Sequence, residues 1–389
     1  MVYDLLVKGG LVVDPSQAIE DIRDVAVSGN RIAEVAADIK PASSKDVIDA
    51  SGKIVTPGIV DLHTHVFWGI SHFGVDVDET CLAKGVTTVV DAGTSGALNF
   101  EGFRKFIIEP SKTRVIPYLH IGAIGLTTHR DIGELLDLRY LDFEKAVKTG
   151  KEHSDIIKGI KIRLGEGIVG QHGPQALRLA KEAAVDLGVP LMVHPGALPV
   201  NLPLPDVLSV LEEGDILTHC LPPSYPPSIM KPTILDENNK VIPEYKDALR
   251  RGVIMDVGHG AGSFSFDTAR IALSEGIIPN ISTDLHTYSL KFPVFDMPTT
   301  LSKFMAMGLS LSKVIECSTS MPASVLGLEG RIGTLAVGAE ADIAIFEMKE
   351  GDFTFMDVRS KKITGEKMLK ATDVIKSGEI VFPRNNPGQ

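Results

Sequence analysis

The sequence predicts an α/β protein: a (β/α)8 TIM barrel over residues 55–331, with a small β-sandwich domain built from both termini. Three observations carry that prediction. Eight strand-like runs alternate with helical stretches in roughly 270 residues, the usual size of such a barrel. The two ends of the chain have another texture, with short strands, tight turns and few long helical patterns. No glycine-rich dinucleotide fingerprint follows an early strand, as an open doubly wound sheet would be expected to carry.

The elements follow in order. The opening runs "YDLLVKGGLVV", "DVAVSGNRIAEVA" and "DVIDASGKIV" read as strands, with Gly9-Gly10 and Gly29-Asn30 placed where hairpin turns need positive φ. The barrel strands are read as "GIVDLHTH", "GVTTVVDAG", "RVIPYLHIGAI", "IKGIKIRL", "VPLMVHPG", "DILTHC", "GVIMDVGHG" and "PNISTDLH". Between the fourth and fifth, "GPQALRLAKEAAVDLG" predicts a helix with Pro174 in its first turn and Gly188 at its stop. Leu177, Ala180, Ala184 and Leu187 recur on one face of it. The closing runs "ADIAIFEM" and "KITGEKMLKATDVIKSGEIVF" return to β texture. Residues 1–54 and 332–389 are therefore expected to form one composite domain around the barrel.

At 389 residues the chain is too long for one small core. Its formal net charge of -11 argues against a nucleic-acid surface, which needs clustered basic residues. No run of 18 apolar residues exists to cross a membrane, and the start lacks the pattern of a signal peptide. Cys81, Cys220 and Cys317 are odd in number and widely spaced, so they form neither a disulfide framework nor a zinc-knuckle pattern. These features point to a cytoplasmic enzyme of small molecules, and closed homo-oligomers are common among such enzymes.

Chemistry in such barrels gathers at the C-terminal ends of the strands. Here those ends are unusually polar: His63 and His65 on the first, Lys161 on the fourth, His194 on the fifth, His219 on the sixth and Asp284 on the eighth. Alternation puts His63 and His65 on one side, and faces Lys161 inward between Ile160 and Ile162. It likewise turns Val193 and Thr218 away from the axis and His194 and His219 toward it. A single histidine there is usually a hydrogen-bonded core residue, and a lysine in an apolar strand usually snorkels to water. Five such residues at one end of one barrel strain that explanation.

With these residues in view, the chain resembles the amidohydrolase superfamily, and within it the deacetylase-type members related to dihydroorotases and hydantoinases. "VKGGLVVDP", "GKIVTPGIVDLHTH" and "GRIGTLAVGAEADIAIFE" carry the broad likeness; "GIKIRL", "THC", "DVGHGAGSFSF" and "ISTDLH" carry the closer one. The resemblance implies that His63, His65 and Asp284 bind a more buried metal, and His194 and His219 a more exposed one. Lys161 would bridge them as N6-carboxylysine, a carbamate formed with CO2. Two divalent ions, with zinc expected, would share a bridging hydroxide that attacks the scissile carbonyl. Asp284 would pass the proton to the departing amine or alcohol. "HPGA" after the fifth strand lacks the glutamate of mononuclear deaminases, which favours hydrolysis over deamination. The expected activity is deacetylation of a small N-acyl or O-acyl acid, with ring opening of a cyclic amide as the alternative. Arg163, His259 and Tyr288 are the candidate substrate contacts, with Arg163 suited to a carboxylate. Cys220 has the wrong parity for the site. His72, His120, His129, His153 and His172 receive no role.

Overall fold

A computed structural model describes residues 2–128, 133–224 and 233–383. Two sheets organise it. The first combines β1 (Tyr3–Asp14), β2 (Ile19–Ser28), β3 (Arg31–Ala36), β4 (Ser44–Asp49) and β5 (Ile54–Pro57) with three late strands. The second is a curled, wholly parallel sheet of β6 (Ile59–Thr64), β7 (Val86–Gly96), β8 (Arg114–His120), β9 (Gly159–Arg163), β10 (Leu191–His194), β11 (Ile216–Leu217) and β12 (Ile254–Met255), each paired with the next in sequence. The late strands β13 (Ile343–Met356), β14 (Lys362–Lys376) and β15 (Glu379–Phe382) return to the first sheet, where β13 pairs antiparallel with β5. Both ends of the chain thus build one mixed sheet beside a TIM-barrel-like sheet.

The eighth barrel position carries no continuous strand. Instead, Asn280 bridges Asp256 next to β12, and Leu285 bridges Thr64 of β6. Asn280 N–H donates to the Met255 carbonyl and His65 N–H to the Leu285 carbonyl, so backbone hydrogen bonds tie this segment to both neighbours. The predicted sixth and seventh runs also shorten to two ladder residues each.

Side-chain alternation explains the two apolar layers. Ile160, Ile162, Leu191, Val193 and Leu217 join the large cluster shared with the helices. Val90, Ala92, Ile116, Tyr118, Met192 and Ile216 pack together inside the sheet, and Lys161 lies beside Met192 in that inner layer. The helix Gly173–Leu187 begins with Pro174 and ends on Gly188 at φ +65°, burying Ala176, Leu177, Ala180, Ala183 and Ala184 on one face. Cys220 sits in the outer cluster, as its parity predicts.

One turn differs from the sequence expectation. Gly29-Asn30 closes the β2–β3 hairpin, but Gly9-Gly10 lies within β1. Gly9 has φ +72° there, and the β1–β2 register shifts between Val7 and Gly10. The glycine pair supplies a β-bulge instead of a reversal, because positive φ serves either purpose.

Candidate metal centre

The sequence-selected strand ends converge. His63 Nε2 and His65 Nε2 lie 3.4 and 3.2 Å from Asp284 Oδ1. The His63 ring centroid is 5.0 Å from that of His219, which in turn lies 4.0 Å from that of His194. Lys161 is fully buried, its amine 3.4 Å from Met192 Sδ. His63, His219 and Asp284 each offer a donor atom within 4.8 Å of the others, a spacing that can hold one ion.

The tautomers suit a metal. His63 Nδ1–H donates to Thr218 Oγ1 (2.7 Å), whose hydroxyl donates to Asp256 Oδ2 (2.7 Å). His65 repeats the device: Nδ1–H donates to Thr94 Oγ1 (2.8 Å), which donates to Asp91 Oδ2 (2.7 Å). His219 Nδ1–H donates to the Gly258 carbonyl at 2.7 Å. With Nδ1 committed, each ring turns an Nε2 lone pair toward the centre. The Nε2 atoms of His63 and His219 are buried without a hydrogen-bond partner, which is costly unless something else occupies them. Burial holds His63, His65 and His194 well below the usual imidazole pKa and lowers His219 to about 3, so all four rings are neutral donors. The residues fit a divalent cation.

Three departures from regular strand geometry achieve this. The sequence parity turns Thr218 toward the helices, but on β11 Ile216 takes the inner layer and Leu217 the outer, so alternation carries Thr218 inward, where its hydroxyl meets His63. His219 would then face outward, but it adopts φ +57°, so the chain leaves the extended region where β11 ends and its ring turns to the centre. Asp284 likewise sits at φ +47°. Left-handed backbone at non-glycine residues is strained and concentrates at functional sites. On β6, Leu62 joins the inner layer while His63 also points inward, because pairing with β7 is irregular between Asp61 and Thr64.

An amidohydrolase family model matches residues 207–381. A deacetylase of Agrobacterium fabrum is 36% identical over 342 residues, covering 87% of this chain and 82% of that protein. The chain belongs to the amidohydrolase family. Among solved structures, one described as a dihydroorotase superposes with TM-score 0.87 at 34% identity, over 97% of both chains. Another, described as an adenine deaminase, gives TM-score 0.87 at 33% identity, over 97% of this chain and 99% of the other. With the donor cluster above, membership makes this amidohydrolase a metal-dependent hydrolase of amide or ester bonds.

A cavity of about 660 Å³ opens onto the centre, lined by His65, His194, Asp284 and Arg163, and by the aromatic group His72, Phe73, His286 and Tyr288. Arg163 lies 3.3 Å from Glu134, with its guanidinium 5.7 Å from the Phe73 ring centroid and its Nε unpaired. Glu134 also meets His120, so the wall behind the arginine is a buried ionisable group of three. Tyr288 is half exposed at the rim. His259 lies elsewhere: it is fully buried, stacks on Phe264 and bonds to Lys303, outside the cavity lining.

Sequence reasoning missed several of these groups. His286 lines the cavity 3.8 Å from Asp284 Oδ2, and its Nδ1 accepts from the Tyr288 and Ser289 amides. Its position two residues past the strand-eight aspartate was the available signal. His72, given no role, also lines the cavity, and His120 backs its wall; His129 lies outside the described residues. His153 and His172 stay away from the cavity lining.

Proposed function

We propose that this amidohydrolase is a binuclear deacylase that removes the acyl group of a small N-acyl or O-acyl acid. In this reading His63, His65 and Asp284 would hold an inner ion, and His194 and His219 an outer one. Lys161, as a carbamate, would complete the donor set. The observation that carries the reading is four neutral imidazoles and one carboxylate within electrostatic reach of the fully buried Lys161 amine. Burial lowers the Lys161 pKa to about 7, so a free amine is available to add CO2 with loss of one proton. The product is an anion where an ammonium would repel the ions.

Divalent ions held there would lower the pKa of a bound water and polarise the scissile carbonyl, and zinc would suit this mixed nitrogen and oxygen donor set. Asp284 accepts the proton of the attacking water and delivers it to the departing amine or alcohol. Arg163, backed by Glu134, pairs with the substrate carboxylate, and Tyr288 contacts the substrate at the cavity mouth. Pro195, Gly196 and Ala197 follow His194, so no acid stands where a mononuclear deaminase places its glutamate.

The resemblance to the Agrobacterium deacetylase supports acyl release. The dihydroorotase-described structure supports a second reading, ring opening of a cyclic amide. Metal analysis combined with two assays separates them. We expect about two ions per chain, with acetate released from N-acetyl or O-acetyl acids. Opening of dihydroorotate or hydantoins without acetate release would replace the first reading by the second. A protein that takes up no more than one ion after supplementation with metal and bicarbonate would end the binuclear assignment.

A further inference from the structure

Behind the metal centre lies a buried basic pair that the proposed chemistry leaves unused. Lys303, on the helix Met297–Ala306, is fully buried. Its amine donates to His259 Nε2 at 2.9 Å and to the Pro293 carbonyl at 2.7 Å, both neutral acceptors. With Nε2 accepting, the His259 proton sits on Nδ1 and goes to the Gly260 carbonyl at 3.0 Å. The ring is held flat against Phe264, with centroids 4.4 Å apart. A leucine and a phenylalanine would fill this volume without desolvating an amine, so packing alone does not account for the pair.

What the pair holds is the loop against the centre. Gly258 and Gly260 both have positive φ, and their backbones press on the donor residues. A Cβ on Gly260 would lie 2.2 Å from Asp284 Oδ2; one on Gly258 would lie 2.9 Å from His219 Nδ1 and 3.1 Å from His63 Nδ1. The Gly258 carbonyl also accepts the His219 hydrogen bond. In the run Gly258–Gly262, His259 is the one residue with a long side chain, and therefore the one side-chain anchor. Ala261, Gly262 and Ser263 then continue as cavity wall.

We propose that Lys303 and His259 are positioning residues: the lysine holds the imidazole, the imidazole holds the Gly260 carbonyl, and the loop so fixed sets Asp284 and His219 at the centre. This rests on the metal-centre reading above. Lys303→Met keeps the stem volume and removes the donor. His259→Phe keeps the stack on Phe264 and removes both bonds. His259→Asn keeps a donor near the Gly260 carbonyl and serves as the milder variant should the others fail to fold.

The test uses the full-length, metal-loaded protein, with an acetylated acid that the wild type turns over. For Lys303→Met and His259→Phe, kcat falls about 100-fold, as for a misplacement near 1 Å, while KM changes less than about threefold because neither residue meets substrate. Metal transfer to a chelator becomes about tenfold faster, and His259→Asn falls between wild type and His259→Phe on both measures. A loss confined to thermal stability, with wild-type kcat and metal release in the folded fraction of any of the three, overturns the proposal. Failure of the wild type itself to hold metal would sink the metal-centre reading instead.

Discussion

Lys161→Met separates the cost of a buried amine from its use. Lys161 is fully buried in the inner layer beside Met192, and burial lowers its pKa from 10.5 to about 7. That difference of about 3.5 units, at about 1.4 kcal/mol each, bounds the penalty of the unmodified lysine in the metal-free fold at about 5 kcal/mol. The unfolded lysine keeps its proton to about 10.5, whereas the folded one releases it near 7. The unfolded state therefore binds more protons between those values, and wild-type stability rises with pH across that window. Below pH 7 both states are protonated and the penalty is constant and complete. Methionine fills the same slot without a charge. In urea titrations under chelator and CO2-free buffer, Lys161→Met is expected to be several kcal/mol more stable than wild type at pH 6. The advantage shrinks as pH rises above 7 and vanishes near 10.5. If Lys161 carries the proposed carbamate, metal-loaded Lys161→Met is expected to lose turnover as well. A metal-free variant less stable than wild type, or a difference that stays flat from pH 7 to 10, would refute the reasoning.

Four further outcomes follow from the same geometry. Asp284→Asn retains metal, measured by elemental analysis, but loses about 10²- to 10⁴-fold in kcat, because the amide cannot carry the proton; near-normal kcat in the metal-replete variant would remove the shuttle. Arg163→Met raises KM for acylated acids about 10- to 100-fold and leaves kcat within about threefold; an equal effect on substrates lacking a carboxylate would end the carboxylate assignment. Thr218→Val breaks the relay from His63 to Asp256 and weakens metal binding about 10- to 100-fold in chelator competition, and an unchanged affinity would make the relay incidental. Burial lowers the His219 pKa from 6.5 to about 3, so the unfolded imidazole takes up its proton first as pH falls. The metal-free protein is expected to lose stability progressively below about pH 6.5, and a urea midpoint that does not move between pH 7 and 4 would contradict it.

The residues gathered at the strand ends were legible because barrel strands impose a side and an end. Two histidines one residue apart, and a lysine between two isoleucines, need only alternation and apolar context to be placed. The supporting groups were not legible, because their partners are distant in the chain. His63 meets Thr218 155 residues away and His65 meets Thr94 across 29, and no local pattern distinguishes those threonines from other strand threonines. His259 misled for the opposite reason. Flanking glycines suggest close approach to a ligand, and there is close approach, but it is by the backbone to Asp284 while the side chain turns away to Lys303. Gly9-Gly10 shows the same ambiguity on a smaller scale: positive φ marks a departure from regular strand without saying whether the chain reverses or bulges.

The departures from regularity are themselves informative about what the centre requires. A regular parallel ladder directs side chains alternately in and out, so it cannot by itself bring His219 and Asp284 into register with His63 and His65. At both positions the chain leaves the ladder for left-handed backbone, at a cost of about 1–3 kcal/mol each. Each is held by hydrogen bonds from outside its own strand. The Gly258 carbonyl receives His219 Nδ1–H, and the Ser289 hydroxyl donates to the Asp284 carbonyl. Asp61 reinforces the second by accepting from both the amide and the hydroxyl of Thr283. Strain that two separate networks maintain, at the two residues that complete a cluster of unpaired imidazole nitrogens, is better explained by a bound cation than by the demands of the barrel.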